Sequence, residues 1–185
     1  MENIPDAFIN GLYDRAALDV ITLLYVVVMV AYPMGRYMKV VSMCVTFAVC
    51  MMIGQSLALC DVSLSRKVIS AIMMTAVMVP AVMGVFAAGA SPSRVVERIG
   101  VLAMGLSGLS YGMMNYGVVK AEWLMIPLYG LGELCGCMLL SLVVMLVARL
   151  GEMFSLPRRE IVIISCAVCI GLYAEEVWKF LTRLF

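Results

Sequence analysis

The run "LMIPLYGLGELCGCMLLSLVVMLVA" at residues 124–148 decides the fold class of this chain. It extends over 25 residues and contains a single charged side chain, Glu133. A helix needs about 20 mostly apolar residues to cross roughly 30 Å of hydrocarbon, so a run of this length predicts a transmembrane helix. The same criterion predicts about six spans, near residues 16–34, 40–59, 68–90, 99–119, 124–148 and 161–180.

The composition of the whole chain also indicates a membrane protein. Of its 185 residues, 64% are hydrophobic and 14% are charged, and the mean hydropathy is +1.07. Soluble domains are about half apolar and about a quarter charged. The connections between the predicted spans are short and hold most of the Lys and Arg residues, as headgroup anchors should. We therefore expect an all-α polytopic membrane protein, in which residues 1–185 form one bundle of transmembrane helices.

The last predicted span, 161–180, is the weakest of the six. Its purely apolar part is short and leads into "EEVWKFLTRLF", where Glu175 and Lys179 have the spacing of an i,i+4 ion pair. This segment either crosses the membrane or bends into the headgroup layer as an amphipathic tail. The number of spans is then six or five.

The charge of the chain excludes one class of partner and leaves its orientation open. A net charge of +1 without a clustered basic surface argues against binding to nucleic acid. Basic residues divide seven to six between the two sides of the predicted bundle, which favours an external N-terminus by a margin of one. We expect a multi-pass protein of the bacterial inner membrane. Its expected partners are the lipid bilayer and other membrane proteins, in a homo- or hetero-oligomer.

Glycines recur at helical spacing in two neighbouring predicted spans. Gly105, Gly108 and Gly112 fall on one stripe of the first, and Gly132 and Gly136 form a GxxxG pair in the second. Only the short connection "KAEW" separates the two spans, which makes them antiparallel neighbours in this interpretation. Small residues let helix backbones approach closely in lipid. We therefore expect the two spans to pack against each other through these glycines.

The segment "GLSGLSYGMMNYG" at residues 105–117 resembles the region that carries the catalytic serine of rhomboid intramembrane proteases. The resemblance implies a GxSG motif on a helix of a six-span core, with Ser107 at the position of the nucleophile. That family uses a histidine base on a later span, and this chain contains no histidine. A serine without a base is a weak nucleophile. We therefore expect no catalytic residues and no enzyme activity, and an inactive rhomboid-like protein stays a remote alternative.

Several polar residues fall inside the predicted spans. Glu133 lies deep in its span, where a carboxylate is costly and indicates helix-to-helix glue, a proton or ion site, or a water-lined lumen. Tyr111 falls at a similar depth and is a candidate hydrogen-bond donor to it. Gln55, Asn115 and Asp19 form a second polar layer nearer one interface, which either lines a vestibule or is satisfied internally. Of all these residues, Glu133 is the one that most needs a partner.

Seven cysteines and 18 methionines raise the question of a metal site. Most of the cysteines lie inside apolar runs, where thiols act as small packing groups. A zinc or iron–sulfur site needs about four converging ligands, and soft Cys and Met ligands for copper(I) show no repeated spacing here. We expect no metal and no cofactor.

Two functional hypotheses follow from these observations. The first is a non-catalytic subunit of a larger membrane assembly, such as a secretion, conjugation or export machine, which contributes to its transmembrane core or channel. It fits a chain without catalytic constellations, without a soluble domain and with many adaptable methionines. The alternative is a small proton- or ion-coupled transporter or channel that uses Glu133.

Overall fold

A computed structural model describes residues 4–13, 37–60, 62, 64–87, 94–114, 123, 125–154 and 157–182 of the chain. In these residues every regular element is an α-helix, which confirms the all-α class. The helices are α1 (Ile4–Tyr13), α2 (Tyr37–Leu59), α3 (Arg66–Ala87), α4 (Arg94–Met114), α5 (Met125–Met153) and α6 (Arg158–Thr182).

Three of these helices are long and apolar enough to cross a membrane. The qualifying segments are Val40–Leu59 in α2, Arg66–Met83 in α3 and Met125–Val143 in α5. Together they support an integral, multi-pass membrane protein in contact with lipid. They correspond to three of the six spans that the sequence predicts, so the predicted number of six is wrong for the described part of the chain.

The other three predicted spans have separate outcomes. The span at 16–34 lies outside the described residues. The span at 99–119 corresponds to α4, whose four glycines, two serines and charged first turns lower its hydropathy. The span at 161–180 corresponds to α6, whose apolar stretch Val162–Gly171 is only 10 residues long before acidic residues follow.

The described helices form a row in the spatial order α1, α5, α2, α4, α3, α6, with only slight contact between α5 and α6. Helix α2 therefore lies between α4 and α5. Its neighbour α5 runs antiparallel to it, since Met52 lies against Gly130 whereas Cys44, two turns earlier, lies against Ser141. Cys44 Sγ and Ser141 Oγ are 3.3 Å apart.

The core of the bundle is built around α2. Phe47 and Met51 are fully buried, as are Met104 of α4 and Tyr129 of α5. The ring of Phe47 lies 6.3 Å from that of Tyr111, centroid to centroid, with a tilt of 46° between the ring planes. The outer faces of the candidate spans expose large apolar side chains, as helices in contact with lipid do. On α2 and α5 these are Val45, Val49, Ile53, Leu131, Leu139, Leu142 and Val143.

Candidate functional site

The backbones of α4 and α2 approach each other closely at several glycines. A Cβ atom added at Gly108 would collide with the carbonyl oxygen of Phe47. One added at Gly112 would collide with the carbonyl oxygen of Met51 and lie 3.0 Å from the amide nitrogen of Gln55. At both positions the obstacle is backbone, which has no rotamer to move aside. The two helices therefore approach as closely as they do only because these residues are glycines.

A third glycine, Gly54, contributes to the same contact from the side of α2. A Cβ atom there would collide with the carbonyl oxygen of Leu109 and lie 3.1 Å from the amide nitrogen of Met113. Residue numbers rise together along the two helices, so α2 and α4 are parallel. Sequence reasoning missed Gly54 because it has no GxxxG partner. Its signal is that an isolated glycine inside an apolar helix costs stability, so it usually has a packing reason.

Gly132 makes an equivalent contact between α5 and α1. A Cβ atom at Gly132 would collide with the carbonyl oxygen of Phe8 and lie 3.0 Å from the amide nitrogen of Leu12. In return, one at Gly11 would collide with the carbonyl oxygen of Tyr129. The two contacts place residues 8–12 of α1 against residues 129–132, near the start of α5. The first span that the sequence predicts begins at residue 16, so the sequence prediction missed this helix.

The prediction that the fourth and fifth predicted spans pack against each other through their glycines is wrong. The glycines of α4 contact α2, whereas Gly132 contacts α1, because α2 lies between α4 and α5. Ten residues separate Met114 and Met125, the described ends of the two helices. Ten residues reach up to about 33 Å, enough to pass over an intervening helix about 10 Å wide.

Gly105 and Gly136 are the other two glycines that the sequence predicts at a helix contact. A Cβ atom at Gly105 would lie 3.5 Å from Cys50 Sγ and 3.8 Å from Thr46 Cγ2, which is ordinary van der Waals contact. Gly136 is buried in α5. Close backbone approach therefore concentrates at Gly54, Gly108 and Gly112 in one helix pair, and at Gly11 and Gly132 in the other.

Glu133 is fully buried, with 0% of its surface exposed. It is the ninth residue of the 19-residue candidate span Met125–Val143, close to the middle of the membrane in that assignment. On α5 it lies between Gly130 and Ser141, which contact Met52 and Cys44 of α2. Glu133 is therefore level with the middle of the α2 span.

The polar groups proposed to accompany Glu133 are only partly described. Tyr111 is buried against Phe47, and a hydrogen bond from Tyr111 to Glu133 stays a prediction. Asn115 and Asp19 lie outside the described residues, so the predicted polar layer is seen only at Gln55.

Two buried polar side chains in the α2 and α4 pair have no hydrogen-bond partner among the described residues. They are Gln55, through both amide atoms, and Ser107, through Oγ. The hydroxyl of Ser141 on α5 behaves differently: it donates to the carbonyl oxygen of Cys137 at 2.7 Å. Buried polar groups are usually satisfied, so Gln55 and Ser107 mark the least compensated part of the core.

The short helix α1 has one face against α5 and one face that is exposed. Ala7 and Gly11 are buried, whereas Asp6 and Asn10, one turn apart, are exposed. Gly11, the neighbour of Asn10, lies against Tyr129, and Gly132 lies against Phe8, so this stretch of α1 is level with residues 129–132 of α5. The exposed amide of Asn10 is therefore at nearly the same depth as Glu133.

The cysteines form no described bridge or metal site. All seven are free thiols, and Cys44, Cys137, Cys166 and Cys169 are buried. In the part of the chain that the structure describes, no group of three or more His, Cys, Asp or Glu residues converges to hold a metal ion.

The predicted ion pair near the end of α6 is confirmed. Lys179 Nζ lies 2.9 Å from Glu175 Oε1, beyond the apolar stretch of the helix and with both side chains largely exposed. The hydrogen bond and the positive charge of Lys179 lower the pKa of Glu175 below its usual value.

No protein-family model, no curated protein and no solved structure matches this chain. The resemblance to rhomboid proteases therefore rests on the segment around Ser107 alone. In the structure, Ser107 is buried next to Gly108, where the α4 backbone meets α2. This position fits a small residue at a helix contact.

Gly112→Ala is expected to destabilise the protein, because its new methyl group would collide with the α2 backbone. Overpacking of this kind costs about 1–3 kcal/mol. Gly171→Ala is the matched control, since a Cβ atom there meets nothing within 4 Å. Thermal unfolding of both variants in the same detergent measures the difference. Equal midpoints for the two variants would show that α2 and α4 are not in backbone contact.

Ser107→Ala is expected to leave stability unchanged or to raise it by up to about 1 kcal/mol, because it removes a buried hydroxyl that lacks a partner. Ser141→Ala is the comparison: it loses the bonds to Cys137 and Cys44 and is expected to cost about 1 kcal/mol. The same unfolding assay measures both. A Ser107→Ala protein that folds normally but loses its biological function would instead favour the enzyme interpretation.

Proposed function

We propose that this chain is a non-catalytic integral membrane subunit of a larger assembly of the secretion, conjugation or export kind, located in the bacterial inner membrane. In this proposal it contributes to the transmembrane core or channel of the assembly. The observation that carries the proposal is the exposed amide of Asn10 on α1, which lies at nearly the depth of Glu133.

Lipid is a poor environment for that amide. Polar side chains at the level of the hydrocarbon are expensive and usually meet a protein interior or a water-filled cavity. Asn10 is exposed, whereas its neighbour Gly11 is buried against α5. A partner protein that meets the amide supplies the polar environment that lipid lacks.

Exposed methionines favour the same proposal. Met38, Met114 and Met153 are each more than half exposed, and each lies at or near the end of its helix. Methionine is flexible and polarisable, so it suits contact surfaces that adapt to a partner. The ends of α2, α4 and α5 are therefore suited to protein contact outside the lipid-facing stretches.

Asn10→Leu is expected to weaken association with the other subunits, because it replaces the amide that lipid cannot accommodate by a side chain that lipid accepts. A hydrogen-bonded amide at an interface contributes about 1 kcal/mol, which is roughly fivefold in affinity. The measurement is quantitative mass spectrometry of the membrane proteins that co-purify with the tagged full-length chain from its native membrane.

The matched control is Thr182→Leu, which makes the same polar-to-apolar change at an exposed position at the end of α6, beyond its apolar stretch. Co-purified partners should stay at the wild-type level in this variant. Equal recovery of partners with Asn10→Leu and with wild type would contradict the proposal, as would a chain that purifies alone and is stable as a monomer.

The burial of Glu133 favours a second candidate, a proton- or ion-coupled transporter. A carboxyl group in the middle of a candidate span is a typical proton or ion site. Its neighbour two residues on, Cys135, is exposed on the outer side of α5 at nearly the same depth. This thiol reports whether that side of α5 is in contact with water or with lipid.

Under the transporter candidate, Glu133→Gln abolishes pH-dependent flux through the purified chain in liposomes, because glutamine keeps the shape but cannot release a proton. Cys135 is then labelled by a membrane-impermeant thiol reagent at a rate similar to that of Cys60, which is exposed beyond the end of α2. Absence of flux in the wild type, together with an unreactive Cys135, leaves the subunit proposal as the better one.

A further inference from the structure

We propose that a groove between α3 and α4 binds one acyl chain of an anionic phospholipid, whose phosphate is held by Arg66 and Lys67. The groove has a volume of about 450 Å³ and is open along one side. It runs along α3 from Val68 to Pro80 and is closed on the other side by residues of α4 between Ile99 and Leu106.

The lining of the groove offers nothing to a polar ligand. Its floor includes two buried alanines, Ala76 and Ala103, and the small size of these residues creates the depression. Val79 and Leu102 form exposed walls. The only hydroxyl, that of Thr75, donates to the carbonyl oxygen of Ala71 at 2.7 Å and is thereby satisfied within the helix. An apolar chain is the ligand that such a surface accepts.

The groove is long enough to hold an acyl chain that spans one leaflet of a bilayer. The thirteen residues from Val68 to Pro80 rise by about 18 Å, and half of the hydrocarbon thickness is about 15 Å. The candidate span of α3 is Arg66–Met83, so the end of the groove at Val68 lies at the headgroup level and its other end extends past the middle of the membrane.

The charges at the headgroup end of the groove favour anionic lipids. Arg66 and Lys67 are exposed and immediately precede Val68, the first residue of the groove. Basic residues at this level attract anionic headgroups. A zwitterionic lipid places the same phosphate there but adds a cation that these two side chains repel. A transmembrane helix of a partner fills an apolar groove equally well but gains nothing from the two charges.

The experiment measures lipid retention by the full chain. The protein is reconstituted in nanodiscs that contain equal amounts of phosphatidylglycerol and phosphatidylcholine, released into mild detergent, and weighed with its bound lipids by native mass spectrometry. Wild type is expected to retain phosphatidylglycerol about tenfold over phosphatidylcholine, the preference that two nearby cations confer.

Two variants test the contact with the headgroup and the contact with the acyl chain separately. Arg66→Gln with Lys67→Gln is expected to retain lipid without preference between the two headgroups, whereas Ala71→Leu fills the groove and is expected to lose both lipids. The matched controls are Arg149→Gln with Arg159→Gln, which removes two other exposed cations, and Ala167→Leu, which enlarges an exposed alanine of α6. Both controls should behave as wild type.

Three outcomes overturn the inference. They are unchanged retention in Ala71→Leu, equal preference in wild type and in the Arg66 and Lys67 variant, and a photo-reactive residue at position 79 that cross-links to protein rather than lipid in native membranes. The last outcome identifies either a partner helix or another segment of this chain, such as 16–34, as the occupant. A lipid adduct at position 79 supports the inference whether or not the chain has partner subunits.

Discussion

The parallel backbone contact between α2 and α4 is the constraint on which the rest of the bundle depends. Gly54, Gly108 and Gly112 bring the two backbones together at three points within two turns of helix. In lipid there is no hydrophobic gain from helix association, so dispersion contact between closely approaching backbones supplies much of the attraction. With α2 packed against α4, α5 packs on the opposite side of α2, and α3 packs on the far side of α4.

This contact also explains why polar groups without partners are tolerated beside it. Ser107 adjoins Gly108, and the backbone of Gln55 adjoins Gly112, so both residues sit where the helices are closest. Ser107 is buried beside this contact, and its small size suits a position between close backbones. The desolvation of its hydroxyl costs about 1–3 kcal/mol, a cost that the backbone contact offsets. The same reasoning gives the GxSG pattern a packing role.

The sequence predicts the class of this fold well and its packing poorly. Long apolar runs locate α2, α3 and α5 because crossing a membrane is a property of each helix by itself. The partner of a glycine stripe is a property of two helices, and nothing in the spacing of Gly108 and Gly112 says whether α5 or α2 faces them. A connection of ten residues is long enough to reach either arrangement, so chain order did not decide it.

In the candidate functional site, too, the sequence predicts some features and not others. Burial of Glu133 follows from its position in the middle of an apolar run, and the sequence alone predicts it. The sequence does not predict the position of α1. A ten-residue helix with Asp6 and Asn10 resembles a soluble N-terminal segment, and only its contact with Gly132 places it beside α5. The depth of such a short helix in the membrane is set by the helix on which it packs.

The packing of α1 on α5 therefore changes what the polar residues mean. Considered singly, Glu133 is a buried carboxyl group that neighbouring helices can satisfy, and Asn10 is a surface amide. The contact through Gly11 and Gly132 brings the two residues to nearly a common depth, with Glu133 inside the described bundle and Asn10 at its surface. Hydrocarbon solvates neither a charge nor an amide, so an amide at this depth is stabilised by a polar neighbour. Under the subunit proposal a neighbouring protein supplies that neighbour, and under the transporter proposal a water-filled path supplies it. Both remove Asn10 from lipid, and the wetting of Cys135 on the outer side of α5 bears on the choice between them.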